Sequence, residues 1–384
     1  MNLTVRAITA DQHRGWIASR PSVSFLQLPE WGKVKVGWTP ESLGWFRGSE
    51  LVGAGLVLYR PVPKLPQRSL AYLPEGPDID WSHEQFAAIG INHWLKPLVD
   101  HCRARGAFQV KMGPPVATRR WNAETIKEAM ALHREDEGGA PAQLNDVVAD
   151  WHSPEGMHLA ERLQSYGWRQ EPSVGAGFGD VQPRYVFQID LHNRSLDAIF
   201  AGFNQLWRRN IRKADKAGVV ISTGTRADLA DFHRVYVETA ARDGFTPRAL
   251  PYFERMWDEL NGVDPSRLSL HLAHFDGHLA AATLMVRVGV HAWYSYGAST
   301  TADRDVRPSN ALQWEMIQQA HAAGCHVYDL RGIADTLNPD DHLFGLVQFK
   351  VGTGGYAQEY VGEWDYVVRG AWAKAYNLYQ SRRG

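Results

Sequence analysis

The residues best suited to chemistry lie in the second half of the chain. Residues 207–216 (WRRNIRKADK) form the only dense basic cluster, which could bind the phosphates of a nucleic acid. Solvated charged helix faces are also common, and Trp207 could either stack on a base or anchor a helix in the core. Residues 348–355 (QFKVGTGG) place a lone lysine, Lys350, beside a glycine run. Such a run resembles a phosphate cradle, although a tight turn is its more common role.

Several other kinds of chemistry lack their usual sequence patterns. The sixteen histidines are scattered, and there is no His-Glu-x-x-His motif and no cysteine pair, so no metal site is predicted. His271, His274 and His278 lie close in sequence, but in a strand and a turn they would not face one point. The chain also has no Gly-x-Ser-x-Gly motif and no Walker lysine loop. These absences leave the basic residues as the main candidates for a site.

The elements that must position these residues follow a pattern that occurs twice. Each half contains two strands, a helix and a further strand, and each predicted helix ends at a glycine, Gly106 or Gly324. The paired segments are 50–58 and 277–285, 70–77 and 293–299, 84–105 and 310–323, and 108–112 and 326–330. Any two α/β units share part of this rhythm. A repeat this long nevertheless predicts a duplicated domain and not a solenoid.

Length and composition predict two ordinary globular domains. The chain has 384 residues, of which 44% are hydrophobic and 22% are charged, and a net charge of −1. Because there is almost no net charge, any contact with nucleic acid or membrane must come from a local patch. Two cysteines in different halves predict no disulfide framework and fit a reducing compartment. No signal peptide and no membrane-spanning segment are apparent, so the expected location is cytoplasmic.

The domain boundary is expected in the glycine-containing stretch 175–183. The first domain is predicted over residues 1–178, with 364–384 packing back on it as a strand and a helix. The second domain is predicted over 179–363. Leu196 to Ala217 reads as one helix that carries the basic cluster.

The strand–helix–strand plan of each half resembles the acetyltransferase (GNAT-like) fold. Coenzyme A users of that fold open the central helix with a glycine-containing loop whose backbone N–H groups hold pyrophosphate. Here the corresponding segments are 305–311 (DVRPSNA) and 78–83 (DIDWSH), and neither contains glycine. The expected fold is therefore α/β (α+β), two tandem GNAT-like acyltransferase domains, with no coenzyme A and no other cofactor.

Motifs over most of the chain make it similar to the Fem family, the non-ribosomal aminoacyltransferases that build peptidoglycan side bridges from aminoacyl-tRNA. No single motif is decisive, but their order and spacing together are specific. The matching segments are 25–35, 71–77, 207–216, 247–253, 293–296, 328–333, 349–350 and 359–363. The long coiled-coil arm that some members insert is not expected, because the segment between Val219 and Pro251 is too short for it.

The resemblance implies a substrate-binding set. The lysine at Lys35 and the arginine at Arg248 would hold the diphosphate of a cell-wall precursor, since arginine suits bidentate contact with phosphate oxygens. Tyr252 and Tyr296 would line the same cleft, together with Phe349 of the Phe-Lys pair. Without the resemblance, Arg248 reads as a surface loop arginine and Lys35 as a solvated helix lysine.

The resemblance also implies that Lys350 lies near the reacting centre, where an ammonium could neutralise the terminal phosphate of the tRNA or an oxyanion. A strand-end lysine with its head in water is the alternative. Some members carry an aspartate, proposed as a general base, where this chain has Gly113. A protein base is therefore missing at that position, and Asp329 in the second half is the fallback catalytic residue. We expect Lys35, Arg248 and Lys350 to share one cleft.

The implied function is transfer of alanine, serine or glycine from aminoacyl-tRNA to the side-chain amine of a peptidoglycan precursor stem peptide. The precursor would be linked to uridine diphosphate, or to a lipid with transient membrane contact, and the enzyme is expected to be a monomer. The tRNA would lie on the basic helix, through Arg208, Arg209, Arg212, Lys213 and Lys216. Two alternatives remain: a secondary-metabolite peptide amine as acceptor, or a non-catalytic precursor-binding scaffold.

Overall fold

A computed structural model describes residues 3–82, 90–133, 140–170 and 181–381. Its strands and helices follow in chain order. The strands are β1 Leu3–Ala7, β2 Thr39–Arg47, β3 Glu50–Val62, β4 Leu65–Leu73, β5 Ala107–Met112, β6 Ala117–Asn122, β7 Trp151–His152, β8 Tyr185–Asp190, β9 Val220–Gly224, β10 Leu268–Phe275, β11 His278–Val288, β12 His291–Ser299, β13 Val327–Gly332, β14 Tyr356–Tyr360 and β15 Trp364–Val367. The helices are α1 Ala10–Ala18, α2 Pro29–Val34, α3 Ile91–Ala104, α4 Ala123–Leu132, α5 Pro154–Ser165, α6 Leu196–Gly202, α7 Gln205–Ala217, α8 Leu229–Asp243, α9 Leu250–Asn261, α10 Pro308–Ala322, α11 Phe344–Val351 and α12 Gly370–Ser381.

The chain divides into two compact units, each built from more than one segment. The first unit contains residues 1–120, 151–184 and 359–384, and the second contains residues 121–150 and 185–358. Each unit has a hydrophobic core of its own, around Trp45, Trp94 and Trp364 in the first and around Phe187, Trp207 and Tyr328 in the second.

The first unit is built on a six-stranded sheet in the order β1-β2-β3-β4-β5-β15. All neighbours are antiparallel except β4 and β5, which run parallel from Ser69↔Ala107 to Leu73↔Met112. A parallel pair needs a crossover connection, and α3 lies in the chain between these two strands. The chain turns from α3 into β5 at Gly106, whose φ of +86° suits only glycine well.

Six consecutive strands of the second, nine-stranded sheet repeat this plan in the order β9-β10-β11-β12-β13-β8, and β14, β6 and β7 follow beyond β8. Again one pair, β12 and β13, is parallel, and α10 lies in the chain between its strands. The strand beside the parallel pair comes from a different place in the chain in each sheet. In the second sheet it is β8, which precedes the other five strands in sequence, and in the first sheet it is β15, which follows them. The six strands of the first sheet therefore have counterparts in six consecutive strands of the second, which confirms the α/β class and the repeated plan.

Three sequence expectations differ from the structure. Residues 121–150 were expected with the first half, but they pack in the second unit, where Leu144 N donates to Asp335 O at 2.8 Å and Leu337 N to Ala142 O at 2.8 Å. The helix expected over 196–217 is two helices, because the chain turns extended at Phe203 and Asn204 before α7.

The third difference concerns Lys350, which was expected in a turn or at a strand end and lies in the last turn of α11. The start of the helix expected over 84–105, the acidic loop at 135–141 and the stretch 175–183 fall wholly or partly outside the described residues. Within the described ranges no helix is longer than the fifteen residues of α8 and α10, so these ranges hold no long helical arm.

Candidate functional site

Arg248, Tyr252 and Tyr296 form one cluster in the second unit. The Arg248 guanidinium lies 4.8 Å from the centre of the Tyr252 ring, and the hydroxyls of Tyr252 and Tyr296 are 3.0 Å apart. Arg248 is exposed in the segment before α9, and its carbonyl is held 3.0 Å from Nε2 of His233. Three of the sequence-predicted binding residues are therefore brought together.

Neighbouring aromatic rings hold these tyrosines in place. Phe253 packs edge-on against Tyr296 at 5.0 Å between ring centres, and Tyr236 packs edge-on against Phe253 at 5.2 Å. Edge-to-face pairs of this kind add about 0.5–1.5 kcal/mol beyond buried area. Burial raises the pKa of Tyr252 well above its usual value, so its hydroxyl stays a neutral hydrogen-bond group. The cluster thus presents an exposed cation on a rigid aromatic base.

Lys350 is fully enclosed, with 4% of its surface exposed. Its Nζ donates a hydrogen bond to the carbonyl oxygen of Gly332, at the end of β13. Burial lowers the pKa of Lys350 to about 7, although the nearby charge of Asp329 opposes that shift. Near neutral pH, both the neutral and the charged form of Lys350 are therefore populated.

Asp329 is the buried carboxylate of this region, with 2% of its surface exposed. Its Oδ2 accepts a hydrogen bond from Gln188 Nε2 at 2.9 Å and lies 3.4 Å from His291 Nε2, while Oδ1 accepts from the backbone N–H of Arg331 at 2.6 Å. Burial alone would raise the pKa of Asp329, but these partners together hold it below its usual value. The fallback residue is thus an ionised carboxylate that influences Lys350.

The glycine run after Lys350 packs against the chain itself. A Cβ at Gly352 would lie 2.4 Å from the Trp207 ring, one at Gly354 2.0 Å from the carbonyl of Gly202, and one at Gly355 2.0 Å from the carbonyl of Gln188. The run is therefore a tightly packed turn, and the phosphate-cradle interpretation is wrong.

Trp207 and Phe349 belong to the same packing. Trp207 is 2% exposed, its Nε1 donates to the carbonyl of Phe349 at 2.7 Å, and the two rings are 4.6 Å apart. Trp207 therefore anchors α7 in the core and is not presented for stacking on a base. Phe349 is half-buried against it, and its role as a substrate contact stays a prediction.

The five predicted tRNA-binding residues on α7 are not equivalent. Arg208 donates to the carbonyls of Ala201 and Phe203, so it completes the end of α6. The other four line a pocket of about 410 Å³ together with Asn210 and Arg307; these four are Arg209, Arg212, Lys213 and Lys216. Arg307 was not singled out from the sequence, because it lies about ninety residues away from α7 and only the fold brings it there.

Lys35 lies in the first unit, at the C-terminal cap of α2. It is half-buried, and its Nζ lies 5.0 Å from the centre of the Trp31 ring, a cation–π distance. Its role in binding a diphosphate stays a prediction.

Gly113 follows β5 in the first unit, and a carboxylate already stands beside it. A Cβ at Gly113 would lie 3.4 Å from Cγ and 3.9 Å from Oε1 of Glu363. Glu363 is 2% exposed; it accepts a hydrogen bond from the Tyr72 hydroxyl and lies 3.9 Å from Lys111 Nζ. The carboxylate that the sequence lacks at position 113 is therefore present nearby from a distant part of the chain.

Metal ligands and membrane-spanning helices are not found in the part of the chain that the structure describes. Among the described residues, no group of three or more His, Cys, Asp or Glu side chains could hold a metal ion. No helix in the described ranges is both long and apolar enough to cross a membrane.

The chain is similar to known proteins over most of its length. The model of the FemAB family matches residues 8–277 and 270–381. Lipid II:glycine glycyltransferase of Staphylococcus aureus (strain MRSA252) is 23% identical, over 94% of this chain and 92% of that protein. The same enzyme from strain USA300 has the same identity and coverage.

Solved structures show the same fold. The crystal structure of FemX matches 97% of this chain and 99% of its own, with a TM-score of 0.77 and 22% identity. A tandem GNAT protein from the clavulanic acid biosynthesis pathway matches 94% of this chain and 98% of its own, with a TM-score of 0.50 and 14% identity. The expected pair of tandem GNAT-like domains is thereby confirmed.

Proposed function

Because the chain belongs to the FemAB family, we propose that it transfers a small amino acid from aminoacyl-tRNA to the side-chain amine of a peptidoglycan precursor stem peptide. The amino acid is alanine, serine or glycine. Near full-length similarity to a lipid II:glycine glycyltransferase supports aminoacyl transfer onto a cell-wall precursor. The charged tRNA as donor, and the choice of amino acid, are parts of the proposal.

The observation that carries this proposal is the cluster of Arg248, Tyr252 and Tyr296. A precursor linked to uridine diphosphate or to a lipid carries a diphosphate, and an exposed guanidinium held by aromatic rings suits bidentate contact with its oxygens. The adjacent phenol hydroxyls can add hydrogen bonds. Lys35, in the first unit, is separately proposed as a cation for a precursor phosphate.

The reaction requires no covalent intermediate on the protein. The deprotonated acceptor amine attacks the ester carbonyl of the aminoacyl-tRNA, an amide forms, the ester C–O bond breaks, and the ribose hydroxyl of the tRNA leaves with a proton. Alignment of the two reactants can supply several kcal/mol of the rate enhancement. The protein's main tasks are therefore to orient two substrates and to stabilise charge.

Lys350 is the proposed group for that charge. In its ammonium form it stabilises the oxyanion of the tetrahedral intermediate or the terminal phosphate of the tRNA. Its pKa of about 7 makes the charged fraction sensitive to its surroundings, and the Asp329 carboxylate favours the charged form. Asp329 is therefore proposed to act through Lys350 as a positioning residue.

A mass-spectrometric screen tests the function. The protein is incubated with alanyl-, seryl- or glycyl-tRNA and with either a uridine-diphosphate-linked or a lipid-linked pentapeptide precursor. The expected result is a precursor heavier by one amino acid residue with at least one charged tRNA. Precursor binding without transfer from any charged tRNA would instead indicate a scaffold, and transfer only to a peptide outside cell-wall synthesis would indicate a secondary-metabolite acceptor.

Lys350→Met gives the mechanistic arm of the same experiment. Loss of transfer with retained precursor binding is expected, because methionine keeps the volume and removes the charge. Full activity of this variant would exclude the proposed role of the lysine.

A further inference from the structure

Four basic side chains of α7 and one from the start of α10 line a single pocket. The pocket has a volume of about 410 Å³, and its lining is Arg209, Asn210, Arg212, Lys213, Lys216 and Arg307. Five of these six side chains are cations, and none is an acid. All of them belong to the second unit.

The cations on α7 occupy one face of the helix. Their positions follow the spacing i, i+3, i+4 and i+7, which brings neighbouring side chains to about 5–6 Å from one another. Like charges at this spacing repel each other by a few tenths of a kcal/mol per pair. Among the residues that the structure describes, none of the five pocket cations forms a salt bridge. Their charge is therefore not neutralised within the protein.

Arg307 is held in a conformation that a non-glycine residue rarely adopts. Its φ and ψ are 61° and 42°, in the left-handed region, and it caps α10 immediately before Pro308. Its Nε is buried without a hydrogen-bond partner. A backbone in this region costs on the order of 1 kcal/mol for a residue with a side chain, so the position is over-determined by its surroundings.

Arg307 of the pocket lies at the start of α10. Segment 305–311 contains no glycine whose backbone could wrap a phosphate at the helix start. Arg307 instead brings a guanidinium to that end of α10, facing the cations of α7.

We propose that this pocket binds backbone phosphates of the donor RNA, with Arg307 as a ligand. This inference rests on the proposed tRNA-dependent function and adds its binding site. From position 209 to position 216 the α7 face spans about 10 Å, at 1.5 Å per residue, which is long enough for more than one phosphate. Arginines give bidentate phosphate contacts, and lysines add point charges.

Two side chains of α7, Trp207 and Arg208, do not contribute to the proposed RNA contact. Trp207 is buried in the core and cannot stack on a base. Arg208 is used by carbonyls of the chain itself. The pocket lining consists of five cations and one asparagine, and the neighbouring Phe200 ring is covered by the Arg212 guanidinium at 5.5 Å. Such a lining recognises the RNA backbone and not its sequence.

Binding of fluorescently labelled, uncharged tRNA, followed by anisotropy across a series of salt concentrations, tests the site. The variants are Arg307→Gln and the double variant Arg209→Gln/Lys213→Gln, and each should weaken binding by roughly five- to ten-fold per cation removed. The slope of log affinity against log salt should fall by roughly 0.7–0.9 for each phosphate that a variant no longer neutralises. Arg234→Gln, which removes an exposed arginine of α8 in the same unit, is the matched control and should bind like the wild type.

Arg307→Lys separates charge from folding. It retains a cation at a strained position, so it should bind RNA more tightly than Arg307→Gln. A thermal melt of every variant confirms that the second unit is folded. The proposal is overturned if folded Arg307→Gln binds RNA with wild-type affinity and salt slope, or if the pocket variants lose no more affinity than Arg234→Gln.

Two further arms distinguish other anions. If the pocket variants lose binding to vesicles containing anionic lipid, or to uridine-diphosphate-linked precursor, while RNA binding stays unchanged, the pocket serves that ligand and the RNA assignment is wrong. Because uncharged tRNA is the probe, the result does not depend on catalysis. RNA binding through the pocket, together with failure of transfer from every charged tRNA, would reject the proposed function and leave the RNA site standing.

Discussion

The buried ammonium of Lys350 should make the stability of the protein depend on pH in a specific window. In the unfolded chain this lysine has an ordinary pKa of 10.5, and in the folded protein burial lowers the pKa to about 7. Below pH 7 the lysine is protonated in both states, so the full cost of burying a charge is present. Between pH 7 and 10.5 the unfolded chain binds a proton that the folded protein does not.

The free energy of unfolding must therefore rise with pH across that window. Each unit of pH adds about 1.4 kcal/mol, so the complete shift corresponds to an increase on the order of 5 kcal/mol. This direction is opposite to that of a lysine stabilised by a partner, whose contribution would be lost at high pH. Lys350→Met has no titrating group at the site, so the rise should be absent from the variant.

Urea unfolding of both proteins at several pH values between 7 and 9.5 measures this effect. The wild-type value minus the Lys350→Met value should increase with pH at up to about 1.4 kcal/mol per unit. Lys127→Met removes a partly exposed lysine from the same unit and controls for the loss of one positive charge. A wild-type-minus-variant difference that stays flat over this range would show that Lys350 keeps its charge on burial, and the assignment of a shifted pKa would be refuted.

Three further perturbations have expected outcomes. Asp329→Asn removes the charge that favours protonated Lys350, so the rise in stability should begin at a lower pH in the same urea titration. Tyr296→Phe removes the 3.0 Å hydroxyl contact with Tyr252 and should weaken binding of uridine-diphosphate-linked precursor by roughly three- to ten-fold in calorimetry, with little change in thermal stability. Gly113→Ala should be tolerated, because the added Cβ makes only ordinary van der Waals contacts. Gly113→Asp should lower the free energy of unfolding in urea by about 2–4 kcal/mol, because it places a second carboxylate beside Glu363. Adding Glu363→Gln to Gly113→Asp should reduce this loss.

Local patterns allowed much of the architecture to be predicted. The paired strand–helix–strand segments predicted one plan used twice, and six consecutive strands of the second sheet follow the order of the first sheet. Gly106 and Gly324, which were predicted to end their helices, both have the positive φ that is common just after a helix C-terminus. The resemblance to the Fem family singled out Arg248, Tyr252 and Tyr296, and the structure brings these three side chains together, while their role stays a prediction.

Features that depend on distant contacts could not be predicted. Glu363 meets Tyr72 across 291 residues, and Arg307 reaches the α7 cations through the packing of α10. The segment 121–150 has ordinary helix signals, but nothing local shows that its backbone pairs with residues near Asp335. The hydrophobic periodicity of a sequence shows which face of a helix or strand is buried, but it does not show which other element packs against that face.

The surroundings of Lys350 were predicted wrongly, and its role stays a prediction. The glycines that follow it suggested an open turn, since glycine is common in turns. In the structure these glycines are required because Trp207 and two backbone carbonyls approach them closely. The lysine is consequently enclosed at the end of a helix, where burial controls its charge.

The central claim is that the amino acid reaches the precursor directly from tRNA. The most direct measurement uses isotopically labelled amino acid, supplied either as aminoacyl-tRNA or as free amino acid with ATP and uncharged tRNA, and follows the mass of the pentapeptide precursor. We predict labelled precursor only from the aminoacyl-tRNA, with label on the side-chain amine of the stem peptide. Equal labelling from free amino acid and ATP, or no labelling while the charged tRNA stays intact, would contradict the account.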